Sequence, residues 1–508
     1  MQEEKEIQPI ISEKSSLTKI VLKNSFWNFL TSIITRFGAL IFTIIIARIL
    51  QPELFGLYSL ALSVMFLIMT FTDLGINTAL VKYLSDAFKK DNKKAVGYFN
   101  YFLRIKLTLT LILFAILLVI AYPLSNYIFN KPSLFFPLLL CAIYMIFYTF
   151  VGFYESIFYV IQKVKYVTIN EVIYQILRIF LAILGIYLIT NKVVGTIAGL
   201  IFASIVALGI IIYFSHKYYF SIIEKTSQLS KNEKKEIFKF LFYTTIGSIT
   251  GVFFSYIDII LLGIFVRSEF IGYYKAAFGI VGALTGFISI TNVLLPLFVQ
   301  LKGERLENAF NKIFRYSVIL ALPITFGLLL IAKPFIIIIY GSSYLQAVIP
   351  LYVISFLMVE YTLSPMVSWL FAAKGKPQIT AKLLMISTIM NIILNILFIL
   401  YLIRISETAA VLGVAIATLI SRYFYFIILI KKTKKNIGIK IKLNSVVKPL
   451  IASIIMFVSL LIFQLLTHFT WPFSIIEIFY AAIVYFIAII ALKGIGKQDL
   501  ELIKKVLK

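Results

Sequence analysis

The sequence predicts an all-α integral membrane protein with fourteen transmembrane helices. Of its 508 residues, 61% are apolar and only 14% are charged, and the mean hydropathy is +0.99. Soluble chains are about 45–50% apolar and about 25% charged, so one soluble core cannot bury this excess. The apolar residues also fall into runs of about 20, the length that crosses a hydrocarbon core as a helix. The alternating ten-residue pattern of membrane β-strands is absent from the sequence.

The distribution of basic residues predicts how these spans are oriented. Lys and Arg total 48 against 22 Asp and Glu, a net charge of +26. With the amino terminus inside, 38 of the 48 basic residues fall in alternate, inner segments, as the positive-inside rule requires. We therefore expect a multi-pass protein of the cell (cytoplasmic) membrane with both termini cytoplasmic. The predicted spans are residues 24–47, 54–81, 103–122, 134–160, 169–189, 196–214, 240–263, 271–299, 317–332, 348–372, 382–402, 409–430, 446–466 and 474–492.

An internal repeat divides the first twelve spans into two halves. The segment Glu53–Tyr58 after span 1 matches Glu269–Tyr274 after span 7, at an offset of 216 residues. An even number of spans separates the copies, so both insert with the same topology. We expect two pseudo-symmetric six-helix bundles related by an axis along the membrane normal, an arrangement typical of transporters. Two C-terminal helices lie outside the repeat.

This repeat gives the predicted domain organisation. The predicted segments are a cytoplasmic tail (1–23), an amino-terminal lobe (24–214), a basic linker (215–239), a carboxy-terminal lobe (240–430), a second basic linker (431–445), two further spans (446–492) and a cytoplasmic tail (493–508).

Composition excludes several classes of function. The chain has one cysteine and two histidines, so a disulfide, a thiolate metal site and a histidine-based catalytic site are not expected. The P-loop pattern G-x-x-x-x-G-K-[ST] is also missing from the sequence. We expect no cofactor, no metal and no ATPase. The basic runs lie beside apolar spans, where they attract anionic membrane lipid and not nucleic acid.

Residues 47–58 read A-R-I-L-Q-P-E-L-F-G-L-Y, and Asp73-Leu74-Gly75-Ile76 follows in span 2. These segments resemble the A-R-x-L-x-P-x-x-F-G-x-Y signature of Wzx-type polysaccharide flippases. Their superfamily also contains MATE exporters and the lipid II flippase. The resemblance implies translocation of a polyprenyl-(pyro)phosphate-linked oligosaccharide from the inner to the outer leaflet. It further implies that polysaccharide polymerase or glycosyltransferases act beside this chain, which is itself not an enzyme.

Charged groups at bilayer depth are costly and therefore mark candidate functional residues. Arg36 lies about 18 Å into span 1 by the helical rise of about 1.5 Å per residue. Its guanidinium fork suits phosphate oxygens, so we interpret Arg36 as the main contact for the substrate pyrophosphate. The alternative is a structural ion pair or carbonyl contact. Lys275 and Arg178 are further phosphate-binding candidates; snorkelling and an ion pair with Glu155 or Glu171 are their respective alternatives.

Uncharged polar residues share helix faces with these cations. Asn28, Ser32 and Thr35 share a face of span 1 with Arg36, and span 7 carries a matching stripe. The residues predicted to line the cavity are Asn28, Ser32, Thr35, Thr244, Ser248, Ser255 and Asn391. Asn391 also shares a helix face with Asn395. The alternative role for these two residues is a hydrogen bond to a neighbouring helix.

Three further acidic residues and one lysine complete the candidate site. Glu360 near the middle of span 10 and Asp258 near the outer end of span 7 are candidates to bind a coupling H⁺ or Na⁺; a protonated packing carboxyl is the alternative. Asp73 and Lys82 flank the inner end of span 2, where the headgroup would enter.

The sequence leaves other functions open. A MATE-type multidrug or cation antiporter has the same architecture, although acidic aromatic pockets would suit it better than a cation at mid-depth. A lipid II flippase has the same pattern. A membrane glycosyltransferase is disfavoured, because most predicted outer loops are short and carry isolated charges.

Overall fold

The fold is described from a computed structural model. It describes residues 14–90, 92–219, 229–288, 294–442, 444–467, 474–496 and 499. Side chains are described except at 14–22, 89–90, 92–93, 242–244, 246–250, 295–296, 467 and 474–475. The predicted tail 1–13, residues 220–228 of the first linker and most of the tail 493–508 lie outside the described residues.

All regular secondary structure in the described part of the chain is helical, as predicted. The first seven α-helices are α1 (Lys14–Asp73), α2 (Ile76–Lys90), α3 (Asn92–Pro123), α4 (Phe135–Val160), α5 (Lys165–Leu188), α6 (Lys192–Tyr218) and α7 (Lys231–Phe265). A π-helix (Leu124–Ile128) and a 3₁₀ turn (Pro132–Leu134) join α3 to α4.

The remaining helices follow with short connections. They are α8 (Ser268–Ile288), α9 (Leu294–Gln300), α10 (Gly303–Tyr340), α11 (Val348–Ile354), α12 (Leu357–Ala373), α13 (Pro377–Leu402), α14 (Glu407–Ile437), α15 (Asn444–Thr467) and α16 (Ser474–Ala491). A 3₁₀ helix (Ser342–Ala347) links α10 to α11.

Helix α1 is unusually long and is interrupted by a kink. Its 60 residues would extend about 90 Å if straight, three times the hydrocarbon thickness. The break lies at Gln51, whose backbone is non-helical (φ 61°, ψ 168°) and which precedes Pro52. Proline disfavours the helical conformation at the residue before it, so the Gln51-Pro52 pair separates the two segments.

Ten helices in the described residues are long and apolar enough to cross a membrane, or eleven if the bent pair of segments Ser342–Ile354 and Leu357–Ala373 is one span. Shorter apolar segments lie at Gly251–Phe265 and Ile476–Ala491. Large apolar side chains point outward from these helices: Val119 is 75% exposed and Leu466 is 77% exposed. Exposed apolar surface on this scale is expected where helices contact lipid, and the protein is a multi-pass membrane protein.

The helices form two compact units. The first comprises Met1–Ile46 and Leu57–Tyr256, and the second comprises Ala47–Gly56 and Ile257–Lys508. The chain passes from one unit to the other twice within α1, after residues 46 and 56, and once within α7, after residue 256. The first half of α7 packs in the first unit, where the Thr245 hydroxyl donates to the Leu74 carbonyl (3.0 Å) and Tyr256 stacks on Phe66.

Each unit has its own apolar core. In the first unit, fully buried Phe102 on α3 and Phe153 on α4 pack with residues of α2. In the second unit, Phe310 on α10 and Phe371 on α12 belong to a core shared with α13 and α14. A separate cluster joins α10 to α15 and α16. These cores hold the polar groups described below in place.

Candidate functional site

The most extensive buried polar network surrounds Asp258 in the second unit. Asp258 is 4% exposed and Asn391 and Asn395 are fully buried. The Tyr274 and Thr418 hydroxyls each donate to Asp258 Oδ2 at 2.7 Å, and Asn395 Nδ2 donates to Asp258 Oδ1 at 2.7 Å. Asn391 Nδ2 donates to the Thr418 hydroxyl at 3.2 Å. We call these five residues the Asp258 cluster.

The Asp258 cluster has the donor set that a hard monovalent cation prefers. Its carboxylate, amide and hydroxyl oxygens are the ligand types of Na⁺-like and Ca²⁺-like ions. The Asn395 Oδ1 atom is buried and has no hydrogen-bond partner among the described residues. No group of three or more His, Cys, Asp or Glu side chains that would hold a metal occurs in the described part of the chain. A single carboxylate balances one positive charge and not two.

Glu360 on α12 is the second buried carboxylate of this unit. It is fully buried, and neither of its carboxylate oxygens has a hydrogen-bond partner among the described residues. The opposite charge that it faces is Arg422 on α14, whose guanidinium lies 4.9 Å from the centre of the Tyr361 ring. The Arg422 Nε atom is buried, so this guanidinium lies inside the unit.

Arg36 and its neighbours lie on the first segment of α1, in the first unit. Asn28, Thr35 and Arg36 are exposed and Ser32 is half-buried. The Ser32 and Thr35 hydroxyls donate to carbonyls one turn earlier, those of Asn28 and Thr31, both at 2.9 Å. Ser255 does the same to Gly251 on α7. Thr244 and Ser248 lie on α7 too, with side chains outside the described residues.

Arg178 on α5 is held among aromatic rings. Its guanidinium lies 4.6 Å from the Phe42 ring centre and 5.6 Å from that of Tyr174. The ion pair with Glu155 or Glu171 does not occur in the described residues; Asn170 donates to Glu155 at 3.0 Å, and Gln175 donates to Glu171. Arg178 Nε and Nη2 are buried and have no hydrogen-bond partner in the described part of the chain.

Asp73 at the end of α1 forms a buried ion pair that the sequence did not indicate. Its Oδ1 accepts from Lys106 Nζ at 2.8 Å, and the Lys106 side chain is 2% exposed whereas that of Asp73 is 38% exposed. The Lys106 Nζ also donates to Asn77 Oδ1 at 3.2 Å. Lys82 is exposed, with its Nζ 4.3 Å from the Phe240 ring centre. Lys275 is half-buried on α8, in the other unit.

The signature segment 47–58 has a packing role that sequence patterns alone did not reveal. Arg48 Nε donates to the Ile339 carbonyl at 2.7 Å, and its Nη2 donates to the Ile338 carbonyl. These carbonyls lie at the C-terminal end of α10, where a cation stabilises the helix dipole. The Tyr344 hydroxyl donates to the Ala47 carbonyl at 2.8 Å. These hydrogen bonds fix the start of the segment within the second unit, to which Ala47–Gly56 belong.

Solved structures of transporters share this fold. The inward closed conformation of the lipid II flippase MurJ matches with a TM-score of 0.70 at 20% identity, covering 94% of this chain and 99% of that one. An inward-facing multidrug resistance MATE family transporter matches with a TM-score of 0.62 at 16% identity, covering 79% and 95%. These identities establish likeness of fold.

Three relatives are similar in sequence. A probable low-salt glycan biosynthesis flippase of Haloferax volcanii is 24% identical over 37% of this chain, and the match spans 39% of that relative's length. An uncharacterized membrane protein of Methanocaldococcus jannaschii is 24% identical over 73% of this chain and 76% of its own. An uncharacterized membrane protein in the cps region of Klebsiella pneumoniae is 23% identical over 72% and 74%.

Residues 21–302 match a protein family described as polysaccharide biosynthesis protein. The matched region begins near the start of α1, contains the signature segment and α2 to α8, and ends just before α10. Because it covers more than half of the 508 residues, the chain belongs to the polysaccharide biosynthesis protein family.

Proposed function

We propose that this protein is a flippase that moves a polyprenyl-(pyro)phosphate-linked oligosaccharide from the inner to the outer leaflet by alternating access. One observation supports the proposal above all: this chain of apolar membrane helices belongs to a polysaccharide biosynthesis family. The proposed work is binding and movement without a covalent step. Polysaccharide polymerase or glycosyltransferases would supply and use the cargo.

The proposed topology has fourteen spans, with two six-span repeats related by an axis along the membrane normal and with both termini cytoplasmic. The break at Gln51 supports counting α1 as two spans. The concentration of basic residues in alternate segments supports the orientation.

We assign the substrate phosphate to Arg36, Arg178 and Lys275. Arg36 is exposed on an apolar helix, and an exposed guanidinium at that depth needs an anion or a polar surrounding. Arg178 has two buried N–H groups with no acceptor among the described residues, which an oxyanion would satisfy. Arginine binds phosphate with two parallel hydrogen bonds, which makes Arg36 the main contact.

Polar side chains near these cations would accompany the headgroup. Lys82 on α2 is exposed and Asp73 at the end of α1 is partly exposed, and we propose that the headgroup first meets these two residues. The proposed polar lining for the sugar consists of Asn28, Ser32, Thr35, Thr244, Ser248 and Ser255. Asn391 is left out because it is fully buried and donates to Thr418 on α14, the interhelical hydrogen bond that its spacing also suggested.

We propose that Asp258 binds the coupling cation, Na⁺ or H⁺. Polar side chains from four helices, α7, α8, α13 and α14, converge there, and Asn395 Oδ1 provides a further ligand. Glu360 is the second candidate, although the nearby Arg422 already balances its charge. The membrane potential would add to this gradient, since an outward-moving negative charge gains about 2.3 kcal/mol per 100 mV.

Reconstituted protein provides the test. Proteoliposomes would receive a polyprenyl-pyrophosphate oligosaccharide in one leaflet, and digestion of the sugar by an added glycosidase would report its arrival in the other. We expect transport that depends on a Na⁺ or H⁺ gradient and on the potential. Absence of sugar movement, combined with gradient-driven ethidium uptake by the same vesicles, would replace the flippase proposal with the antiporter alternative.

A further inference from the structure

A cavity of about 340 Å³ lies in the second unit, away from the Asp258 cluster. Its size falls at the lower end of the about 300–1,000 Å³ typical of small-molecule sites. Four of its seven lining residues are cationic and none is acidic. The lining residues are Arg315, Lys442, Asn444, Ser445, Lys448, Lys493 and Gly494.

Hydrogen bonds hold the Lys442 side of this cavity in place. Asn311 on α10 donates to the Lys440 carbonyl at 3.0 Å, and its Oδ1 accepts from the Lys442 backbone N–H at 3.2 Å. Glu307, one turn earlier, accepts from the Lys440 N–H at 3.2 Å. The segment before α15 is therefore fixed along α10, and Lys442 lies at the cavity because its backbone is anchored.

The opposite wall is fixed by the segment that follows α16. Lys448 Nζ on α15 donates to the Lys493 carbonyl at 3.1 Å. Asp499 accepts from Arg315 Nη2 at 2.8 Å and from the Gly496 N–H at 2.8 Å, and also from the Tyr316 hydroxyl. These contacts tie the start of α10 to the chain beyond α16, so the cavity is a built feature with three supporting helices.

The cavity carries a net positive charge, because four cationic side chains line it and Asp499 is the acidic neighbour of one of them, Arg315. Burial opposes ionisation of Asp499, but the hydrogen bonds from Tyr316 and Gly496 and the Arg315 charge lower its pKa below the ordinary value. Asp499 is thus anionic and offsets one of the four cations. Arg315 Nε is buried and has no hydrogen-bond partner among the described residues. The first turn of α15, a 24-residue helix, adds its positive dipole end.

The cavity lies at the depth of lipid headgroups. Arg315 precedes the apolar part of α10, Lys442 precedes the apolar span Asn444–Leu466, and Lys493 follows the apolar helix Ile476–Ala491. The apolar parts of α10 and α15 therefore begin, and that of α16 ends, next to residues that line the cavity. Anions at this level are the phosphate groups of lipids and soluble phosphates at the membrane surface.

We propose that this cavity binds one phosphate group, with Arg315, Lys442 and Lys493 as its cationic ligands and the α15 N-terminus as a further donor. The phosphate belongs to an anionic lipid headgroup or to a soluble phosphate ester. This site is separate from the proposed transport path and does not depend on the direction of transport.

Binding to the full-length purified protein in neutral detergent tests the proposal. Phosphatidylglycerol, phosphatidylcholine and glycerol 1-phosphate are titrated separately, and native mass spectrometry counts the bound molecules. The cavity variant is Lys442→Gln/Lys493→Gln, since both side chains are exposed and removal of their charges leaves the core intact. The matched control is Lys434→Gln/Lys435→Gln, which removes the same charge from exposed residues of α14.

We expect one phosphatidylglycerol to bind in preference to phosphatidylcholine, and about tenfold weaker binding by the cavity variant. The control variant should bind as the wild type does. Glycerol 1-phosphate binding as tightly as the lipid would identify a soluble ester as the source of the phosphate. Equal affinities of the two variants for every anion would overturn the proposal. No transport assay enters this test, so its result is independent of the flippase proposal.

Discussion

Gly56 and Gly272 form a reciprocal contact within the second unit. A Cβ atom at Gly56 would lie 1.7 Å from the Ser268 carbonyl oxygen, and one at Gly272 would lie 2.2 Å from the Pro52 carbonyl oxygen. Each glycine thus packs against the residue four positions before the other. The two glycines are also at equivalent positions of the 216-residue repeat in the sequence.

Gly272→Ala therefore disrupts backbone packing, and we expect it to lower the stability of the protein by about 1–3 kcal/mol, the usual cost of overpacking. Thermal unfolding in detergent, followed by tryptophan fluorescence, measures the change. Gly282→Ala on the same helix is the matched control, because a Cβ there meets nothing within 4 Å. It should leave the melting temperature unchanged or raised. Equal destabilisation by both substitutions would contradict the close-contact explanation.

The repeat was visible in the sequence, but the contact between its copies was not. Glu53–Tyr58 and Glu269–Tyr274 match residue by residue, and both contain the glycine concerned. A sequence motif shows which residues recur, but it does not show which part of the protein those residues pack against. The same limit applies to Arg48, since its carbonyl partners at Ile338 and Ile339 are about 290 residues away in sequence.

The sequence predicted some residues of the candidate site and missed others. The i, i+4 spacing of Asn391 and Asn395 indicated one polar helix face, and Asp258 was singled out as a costly charge in an apolar span. Thr418 and Tyr274 were not identified, because isolated hydroxyl residues are common in membrane helices. Lys106, near the start of predicted span 3, was not identified either, and it is buried against Asp73.

The Asp258 cluster leads to a prediction on ligand-linked stability. At 100 times its Kd, a bound cation stabilises the folded state by about 2.7 kcal/mol. We expect NaCl to raise the melting temperature of the wild type relative to equal choline chloride, and Asp258→Asn to abolish the difference. Glu360→Gln alters another buried carboxyl of the same unit and should preserve the sodium effect. A sodium effect that survives in Asp258→Asn and disappears in Glu360→Gln would move the coupling site to Glu360.

The Arg36 assignment predicts a selective loss of phosphate binding. A hydrogen bond to a charged group is worth about 1.5–3 kcal/mol, so Arg36→Ala should weaken binding of a polyprenyl pyrophosphate by roughly 10- to 100-fold. Tryptophan quenching during a lipid titration measures this affinity. Phe29→Leu, at another exposed position of the same segment, has no proposed role in binding and should bind normally. Unchanged affinity in Arg36→Ala would exclude this residue as the main phosphate contact.

The Lys106–Asp73 pair predicts an asymmetry between its two partners. Removing one partner of a buried ion pair costs about 3–5 kcal/mol when the remaining charge is buried. Asp73→Ala leaves the Lys106 ammonium, 2% exposed, without its counter-ion, whereas Lys106→Met leaves a carboxylate that is 38% exposed. We expect Asp73→Ala to lower the melting temperature more than Lys106→Met does. The opposite order would show that the carboxylate carries the larger desolvation cost.

Glu233 at the start of α7 predicts a pH dependence outside the apolar spans. Its carboxylate accepts from the Ser230 N–H at 2.8 Å while the Ser230 hydroxyl accepts from the Glu233 N–H at 3.3 Å, a capping box, and Lys94 lies 3.1 Å away. The Ser230 N–H first, then Lys94, lower the pKa of Glu233 from 4.5 to about 2. Because the folded pKa is the lower one, this stabilisation is present above pH 4.5 and is lost as the pH falls toward 2.

We expect Glu233→Ala to lower the free energy of unfolding at pH 7 by about 1 kcal/mol, as loss of a helix cap does. The difference in unfolding free energy between wild type and variant should shrink as the pH falls from 4.5 toward 2. Protonation of Glu233 in the wild type removes the same charge interactions that the substitution removes in the variant. Urea unfolding of the detergent-solubilised protein from pH 7 to pH 3 measures this. Glu236→Ala alters a neighbouring carboxylate on α7 and should show no such convergence. A constant difference across the range would mean that Glu233 contributes by packing and not by its charge.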